Sequence, residues 1–160
     1  MSEHSGTGAE SADALEAIAS VFHAHYEQRS FSGAGLVKRG DEVLFSGAYT
    51  TVGDLDLFMR ALAANRLLSE QLTGDFFKPK VMYRQTARAT YMMGYAFEFA
   101  LEPGSGRIMY MQKDGDNPGV DGVLRYYPDT GTVVAILANQ DCNVWDMASE
   151  IDEVLKGLWI

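Results

Sequence analysis

The sequence is poor in cysteine, with Cys142 as its one thiol. A lone cysteine excludes an internal disulfide and a metal site built from several thiolates, and it suits a reducing compartment, so we expect a cytoplasmic protein. No stretch approaches the roughly 20 consecutive apolar residues that span a bilayer. The first residues, MSEHSGTGAESAD, also lack the basic and apolar regions of a signal peptide. We therefore expect a soluble protein without a membrane partner.

Basic residues are also scarce, because 13 Lys and Arg stand against 22 Asp and Glu, for a formal net charge of −9. Nucleic-acid binding requires clustered cations, so this class of partner is not expected. The three histidines, His4, His23 and His25, lie near the N-terminus. His23 and His25 would point apart on a helix, so neither a metal site nor a cofactor is predicted.

The chain does contain enough apolar material for one domain, with 160 residues of which 47% are hydrophobic. Residues 1–11 are small and polar without periodicity, which predicts a flexible tail. Residues 12–160 are predicted to form a single domain.

Apolar periodicity divides this domain into helices and strands. Gly33, Gly35 and Gly47 in the first strand pair would let helices approach the sheet closely. Links between successive strands are too short for parallel crossovers, so the fold class is α+β, an antiparallel sheet of five to six strands flanked by terminal helices on one face. The patterns predict a helix over 12–28, a hairpin turning at Arg39-Gly40-Asp41, helices over 51–65 and from Ser69, a loop over 78–90, four strands within 94–139 with TVVAILAN central, and a last helix from Asn143.

Two blocks of this sequence resemble serine β-lactamases, penicillin-binding proteins and their esterase relatives. The first is FSGAGLVKRGDEVLFSGAY. The more specific second block comprises TVGDLDLFMRALAANRLLS, GYAFEF and GDNPGVDGVLRYYPDTGTVVAILAN, in this order. The resemblance implies that Lys113-Asp114-Gly115, at the turn between two strands, occupies the place of the family's Lys-Thr-Gly motif beside the active site. Asp114 departs from the small or hydroxyl residue usual there. With Asn117, these residues are the candidate binding site.

The resemblance also implies two motifs that this sequence lacks. No serine has Lys three residues on, and no Ser or Tyr has Asn two residues on. In the family a helical half carries both motifs, whereas here Tyr49 leads directly into the next helix. Without the nucleophile and its base we expect no catalytic residues, because removing them costs orders of magnitude in rate.

Three functions remain open. The first is a non-catalytic domain that binds a small molecule or a protein partner around Lys113, although a surface lysine beside two acids, here Asp114 and Asp116, is ordinarily a solvated turn residue. The second is an enzyme with a recruited nucleophile such as Ser46 or Tyr49; Cys142, before the last helix, is a bystander thiol by default. The third is an oligomer-forming scaffold, such as a homodimer, that covers the apolar side chains Met92, Met93, Tyr95, Met109, Tyr110 and Met111.

Overall fold

The computed structural model describes residues 7–28, 33–40, 42–46 and 50–158. None of the described helices combines the length and the apolar character needed to cross a bilayer. The helices and strands, in chain order, are α1 (Thr7–Glu27), β1 (Gly33–Arg39), β2 (Glu42–Ser46), α2 (Thr50–Ala63), α3 (Glu70–Phe76), β3 (Val81–Gln85), β4 (Thr90–Met93), β5 (Glu98–Leu101), β6 (Ile108–Asn117), β7 (Val120–Tyr127), β8 (Thr132–Ala138) and α4 (Val144–Leu158).

The eight described strands form one sheet in the order β2-β1-β8-β7-β6-β5-β4-β3. Every neighbouring pair is antiparallel, which confirms the predicted sheet type. The central position of TVVAILAN is also confirmed, because β8 lies between β1 and β7 and is buried along almost its whole length. Such a strand is apolar on both faces because both faces are covered.

The predicted strand count is too low, because the segment 78–90 is not a loop. It contains β3 and the start of β4, which extend the sheet beyond the expected five or six strands. All five residues of β3 are exposed. A strand that is uncovered on both faces needs no alternation of apolar and polar residues, so it lacks the signal that identifies strands in a sequence.

Helices cover both faces of the sheet. α1 and α4 pack together on one face, as predicted for the terminal helices, around Ile18, Phe22 and Met147. α2 covers the opposite face through Val52 and Met59. The two apolar cores therefore lie on opposite sides of β7 and β8.

Side-chain contacts confirm two predicted helix starts. The Ser69 Oγ accepts a hydrogen bond from the Leu72 amide at 3.4 Å, and the Asn143 Oδ1 accepts one from the Asp146 amide at 3.1 Å. α1 begins at Thr7, so the last five residues of the predicted tail are helical. Their small residues and Glu10 are compatible with a helix even without an apolar stripe.

Candidate functional site

Lys113, Asp114 and Gly115 lie within β6, so their prediction as a turn is wrong. They pair with Leu124, Val123 and Gly122 of β7. The chain reverses later, at Pro118 and Gly119, where Gly119 has a φ of 81° that favours glycine. A strand that continues through polar residues loses its apolar alternation, which is why the sequence indicated an earlier turn.

This part of β6 borders an open cleft of about 590 Å³ between the sheet and the helices α2 and α3. Its wall is mainly apolar, and Lys113 is the one basic residue among the described residues that line it. The lining residues come from six separate parts of the chain: Leu55, Phe58, Phe76, Ala96, Phe97, Lys113, Asp114, Gly115, Val120, Asp121, Gly122, Val123, Leu124, Leu137, Ala138 and Asn139.

Lys113 projects from the α2 face of the sheet. It lies two residues after Met111 and opposite Leu124, and both belong to the core beneath α2. Its Nζ donates to the backbone oxygen of Asp114 at 2.6 Å and lies 3.7 Å from the Asp114 Oδ1. The Lys113 side chain is 63% exposed, so its charge remains accessible at the mouth of the cleft.

Asp114 has a structural partner on the opposite face of the sheet. Its Oδ2 accepts a hydrogen bond from the Trp145 Nε1 of α4 at 2.8 Å. This contact holds the first turn of α4 against β6 and explains an acid at the position where the resembling family has a small or hydroxyl residue. Asn117 ends β6 opposite Val120, and its side chain lies outside the described part of the structure.

The described residues that line the cleft include no serine, threonine, cysteine, tyrosine or histidine. Ser46 lies on the same row of the sheet as Lys113, because Ser46 pairs with Leu36, Leu36 with Ala135, Ala135 with Leu124, and Leu124 with Lys113. Four strand spacings separate the two backbones by about 19 Å. A nucleophile and its base must approach to about 3 Å. The second alternative, Tyr49, lies outside the described residues.

Cys142 is a poor nucleophile in this environment. Burial raises the pKa of its thiol, and the nearby carboxylates of Asp121 and Asp141 raise it further. A raised pKa leaves the thiol protonated at neutral pH, and the thiol form is the weaker nucleophile.

Asp121 is the residue near the cleft that the sequence analysis missed. Its carboxylate is buried, and its Oδ2 accepts a hydrogen bond from the Cys142 amide at 2.6 Å. The Asp121 Oδ1 has no hydrogen-bond partner among the described residues. An acid within the apolar stretch GVDGVL was the available signal, because a carboxylate inside a buried strand requires a specific partner.

His23 and His25, which were not expected to form a metal site, each lie beside a glutamate. His23 lies 3.6 Å from Glu27 on the same helix, and His25 lies 3.1 Å from Glu150 of α4. Among the described residues no group of three or more His, Cys, Asp or Glu is arranged to hold a metal ion.

No protein-family model matches the chain, and no curated protein matches it either. Among solved structures, the chain is similar to a penicillin-binding protein from Bacillus halodurans, with a TM-score of 0.58 and 22% sequence identity over 82% of this chain and 48% of that chain. The fold resembles that of penicillin-binding proteins.

A D-amino acid amidase from Ochrobactrum anthropi SV3, solved with L-phenylalanine amide, is also similar, with a TM-score of 0.44 and 16% identity over 66% of this chain and 32% of that chain. This chain spans about half the length of the penicillin-binding protein. The similarity to the penicillin-binding protein confirms the penicillin-binding-protein-like fold that was expected from the sequence.

Proposed function

We propose that the chain is a non-catalytic β-lactamase-like domain whose cleft binds a small, mostly apolar molecule carrying one anionic group. The composition of the cleft wall supports this proposal most directly. Its described residues provide aromatic and aliphatic side chains, one accessible cation and the two acids Asp114 and Asp121, but no hydroxyl, thiol or imidazole side chain. The absence of catalysis agrees with the short link between β2 and α2, where the resembling family carries its helical half.

The size and chemistry of the cleft suit such a ligand. A volume of about 590 Å³ lies within the range of small-molecule sites. Phe58, Phe97 and Leu137 can bury an aromatic or aliphatic body, at about 25 cal/mol per Å² removed from water. Lys113 at the mouth of the cleft can pair with an anion that stays partly solvated. The lone cysteine supports a reducing location such as the cytoplasm.

Binding can be tested with 1-naphthylacetate, which combines an aromatic body with one carboxylate. In NMR titrations of the ¹⁵N-labelled protein, we expect the amide signals of Gly115 and Gly122 to shift. We expect Lys113→Met to weaken binding at least fivefold, whereas Lys156→Met, at an exposed lysine of α4, leaves it unchanged. The neutral analogue 1-naphthaleneethanol should bind more weakly than the carboxylate.

The contribution of the apolar wall of the cleft can be tested with two neighbouring residues of α2. Phe58 lines the cleft, whereas the neighbouring Leu57 is exposed and is not part of the lining. Phe58→Ser should weaken binding of 1-naphthylacetate, and Leu57→Ser should not. Absence of shifts at Gly115 and Gly122 at millimolar ligand would contradict the binding proposal.

The non-catalytic part requires a separate assay. We expect no turnover of a chromogenic β-lactam or of a p-nitrophenyl ester above the background of a mixture of free amino acids. Turnover that disappears in Ser46→Ala, in Tyr49→Phe or in Lys113→Ala would instead identify an enzyme with a recruited nucleophile.

A further inference from the structure

A second surface, separate from the cleft, is formed by residues 78–95, which we call the basic arm. The basic arm contains β3, β4 and the turns beside them. It carries Lys78, Lys80, Arg84 and Arg88 and no Asp or Glu. The remainder of the sequence holds nine basic and 22 acidic residues. This segment is therefore rich in positive charge, although the Lys78 Nζ and the Lys80 Nζ each lie 3.9 Å from the Asp75 Oδ1.

The basic arm also exposes large apolar side chains. Val81 is 64% exposed and Tyr95 is 67% exposed, and Met82, Tyr83 and Met93 are exposed as well. Single exposed apolar residues are ordinary on a protein surface, but a group on two adjacent strands indicates an interaction surface.

β3 offers backbone groups to a partner. It is the last strand of the described sheet and pairs with β4 on one side, so its other edge has no strand beside it within the described ranges. An edge strand of this kind can accept a further strand through main-chain hydrogen bonds, while side-chain contacts provide specificity.

Two cations of the basic arm, Lys80 and Arg84, lie over aromatic rings. The Lys80 Nζ lies 4.2 Å from the centre of the Tyr95 ring, and the Arg84 guanidinium lies 5.2 Å from the centre of the Tyr91 ring. The Tyr83 hydroxyl donates to Glu98 of β5. These contacts order the side chains before a partner binds, so less side-chain conformational entropy is lost on association.

We propose that the free edge of β3 binds a short acidic segment of another protein as an added β-strand. Val81, Tyr83 and Arg84 lie on one face of β3 and Met82 on the other, because Val81 pairs with Met93, Met82 pairs with Met92, and a bulge at Tyr83 brings both Tyr83 and Arg84 against Tyr91. Glutamates or aspartates of the segment would therefore face Arg84, and apolar residues on its other face would cover Met82. This proposal concerns a different surface from the cleft and stands independently of the proposed function.

Charge favours an acidic segment over a second copy of the protein and over an anionic membrane as the partner of this edge. Pairing two copies of the basic arm would bring two sets of four cations together, and charged edge residues are a common protection against such pairing. A wide anionic membrane would meet the acidic remainder of the protein as well as the basic arm. A short segment contacts mainly the basic arm and the two acids beside it, Asp75 and Glu98, because charges farther away than about 8–10 Å are screened at physiological salt.

The test uses a fluorescein-labelled seven-residue peptide of alternating glutamate and valine, measured by fluorescence anisotropy. We expect saturable binding, at least tenfold weaker binding to Arg84→Glu or Lys80→Glu, and a change below twofold for Arg66→Glu, an exposed cation outside the basic arm. Circular dichroism controls for folding of each variant. Hydrogen exchange should show that the peptide protects amides of residues 81–85.

Four results would overturn the proposal. One is equal binding of a lysine-valine peptide, and another is peptide binding without amide protection in β3. A third is a dimer in sedimentation velocity that Val81→Glu dissociates, because the occupant would then be a second copy. The fourth is binding to phosphatidylserine vesicles without binding to the acidic peptide.

Discussion

Arg125 lies buried between the sheet and α4, with a side chain that is 2% exposed. Its Nη1 donates to the Asp152 Oδ2 at 2.5 Å, and its Nε and Nη2 donate to the Gln112 Oε1 at 3.0 and 2.6 Å. Its guanidinium also lies 4.0 Å from the centre of the Tyr110 ring. These contacts satisfy a charge that would otherwise be costly to bury.

Asp152 is the residue on which this arrangement depends most. We predict that Asp152→Ala lowers the free energy of unfolding by about 3–5 kcal/mol, because Arg125 would be left as a buried charge without its anionic partner. Urea denaturation followed by circular dichroism measures the loss. The adjacent Glu153 is exposed and pairs with Lys156 at the surface, so Glu153→Ala should cost less than about 1 kcal/mol. Equal costs for the two substitutions would contradict this account.

At the scale of secondary structure, α1 packs closely on the sheet because Gly35 lacks a side chain. A Cβ at this position would lie 2.3 Å from the Phe22 Cε1, far inside van der Waals contact. Phe22 is buried in the core beneath α1 and α4. The close approach predicted for the glycines of the first hairpin is therefore confirmed at Gly35.

Substitution of Gly35 should loosen this contact. We predict that Gly35→Ala lowers the free energy of unfolding by about 1–3 kcal/mol, because the Phe22 ring must move from a packed position. Gly115 is the matched control, since it also lies in a strand but has nothing within 4 Å of its would-be Cβ. Thermal or urea unfolding of both variants measures this change. A decrease in the free energy of unfolding as large in Gly115→Ala as in Gly35→Ala would contradict the packing explanation.

The elements that were predicted and the two strands that were missed, β3 and β4, differ in burial. α4 and β7 have buried faces, so their apolar residues recur at the helical or the strand period. β3 has no buried residue, and its sequence VMYRQ carries no such period. The strand that contains Lys113-Asp114-Gly115 was predicted to end too early, because β6 continues to Asn117.

At the scale of the whole molecule, the charge is both large and unevenly distributed. The formal net charge is −9, although the basic arm carries four cations and no acid. Like charges on the remaining surface repel one another in the folded state, and salt screens this repulsion. Buried pairs such as Lys38 with Asp56, at 2.9 Å, are screened much less.

Stability should therefore increase with ionic strength. We predict that raising NaCl from about 10 mM to about 300 mM increases the midpoint of thermal unfolding by a few degrees, equivalent to about 1 kcal/mol. A variant with the exposed acids Glu16, Asp54 and Asp116 changed to their amides should respond less. Calorimetry at both salt concentrations checks this, and a midpoint that falls with salt would exclude self-repulsion as the dominant surface effect.

The sequence by itself determined the α+β class, the antiparallel pairing, the central strand and the caps of α3 and α4. These features depend on neighbours close in the chain, whose spacing directly reflects a buried face or a helix terminus. Only the tertiary structure decided the contacts between distant segments, such as Asp114 with Trp145 and Arg125 with Asp152. It also decided that six separate segments enclose one cleft and that one edge of β3 has no strand beside it among the described residues, because burial and exposure of this kind are set by packing and not by local pattern.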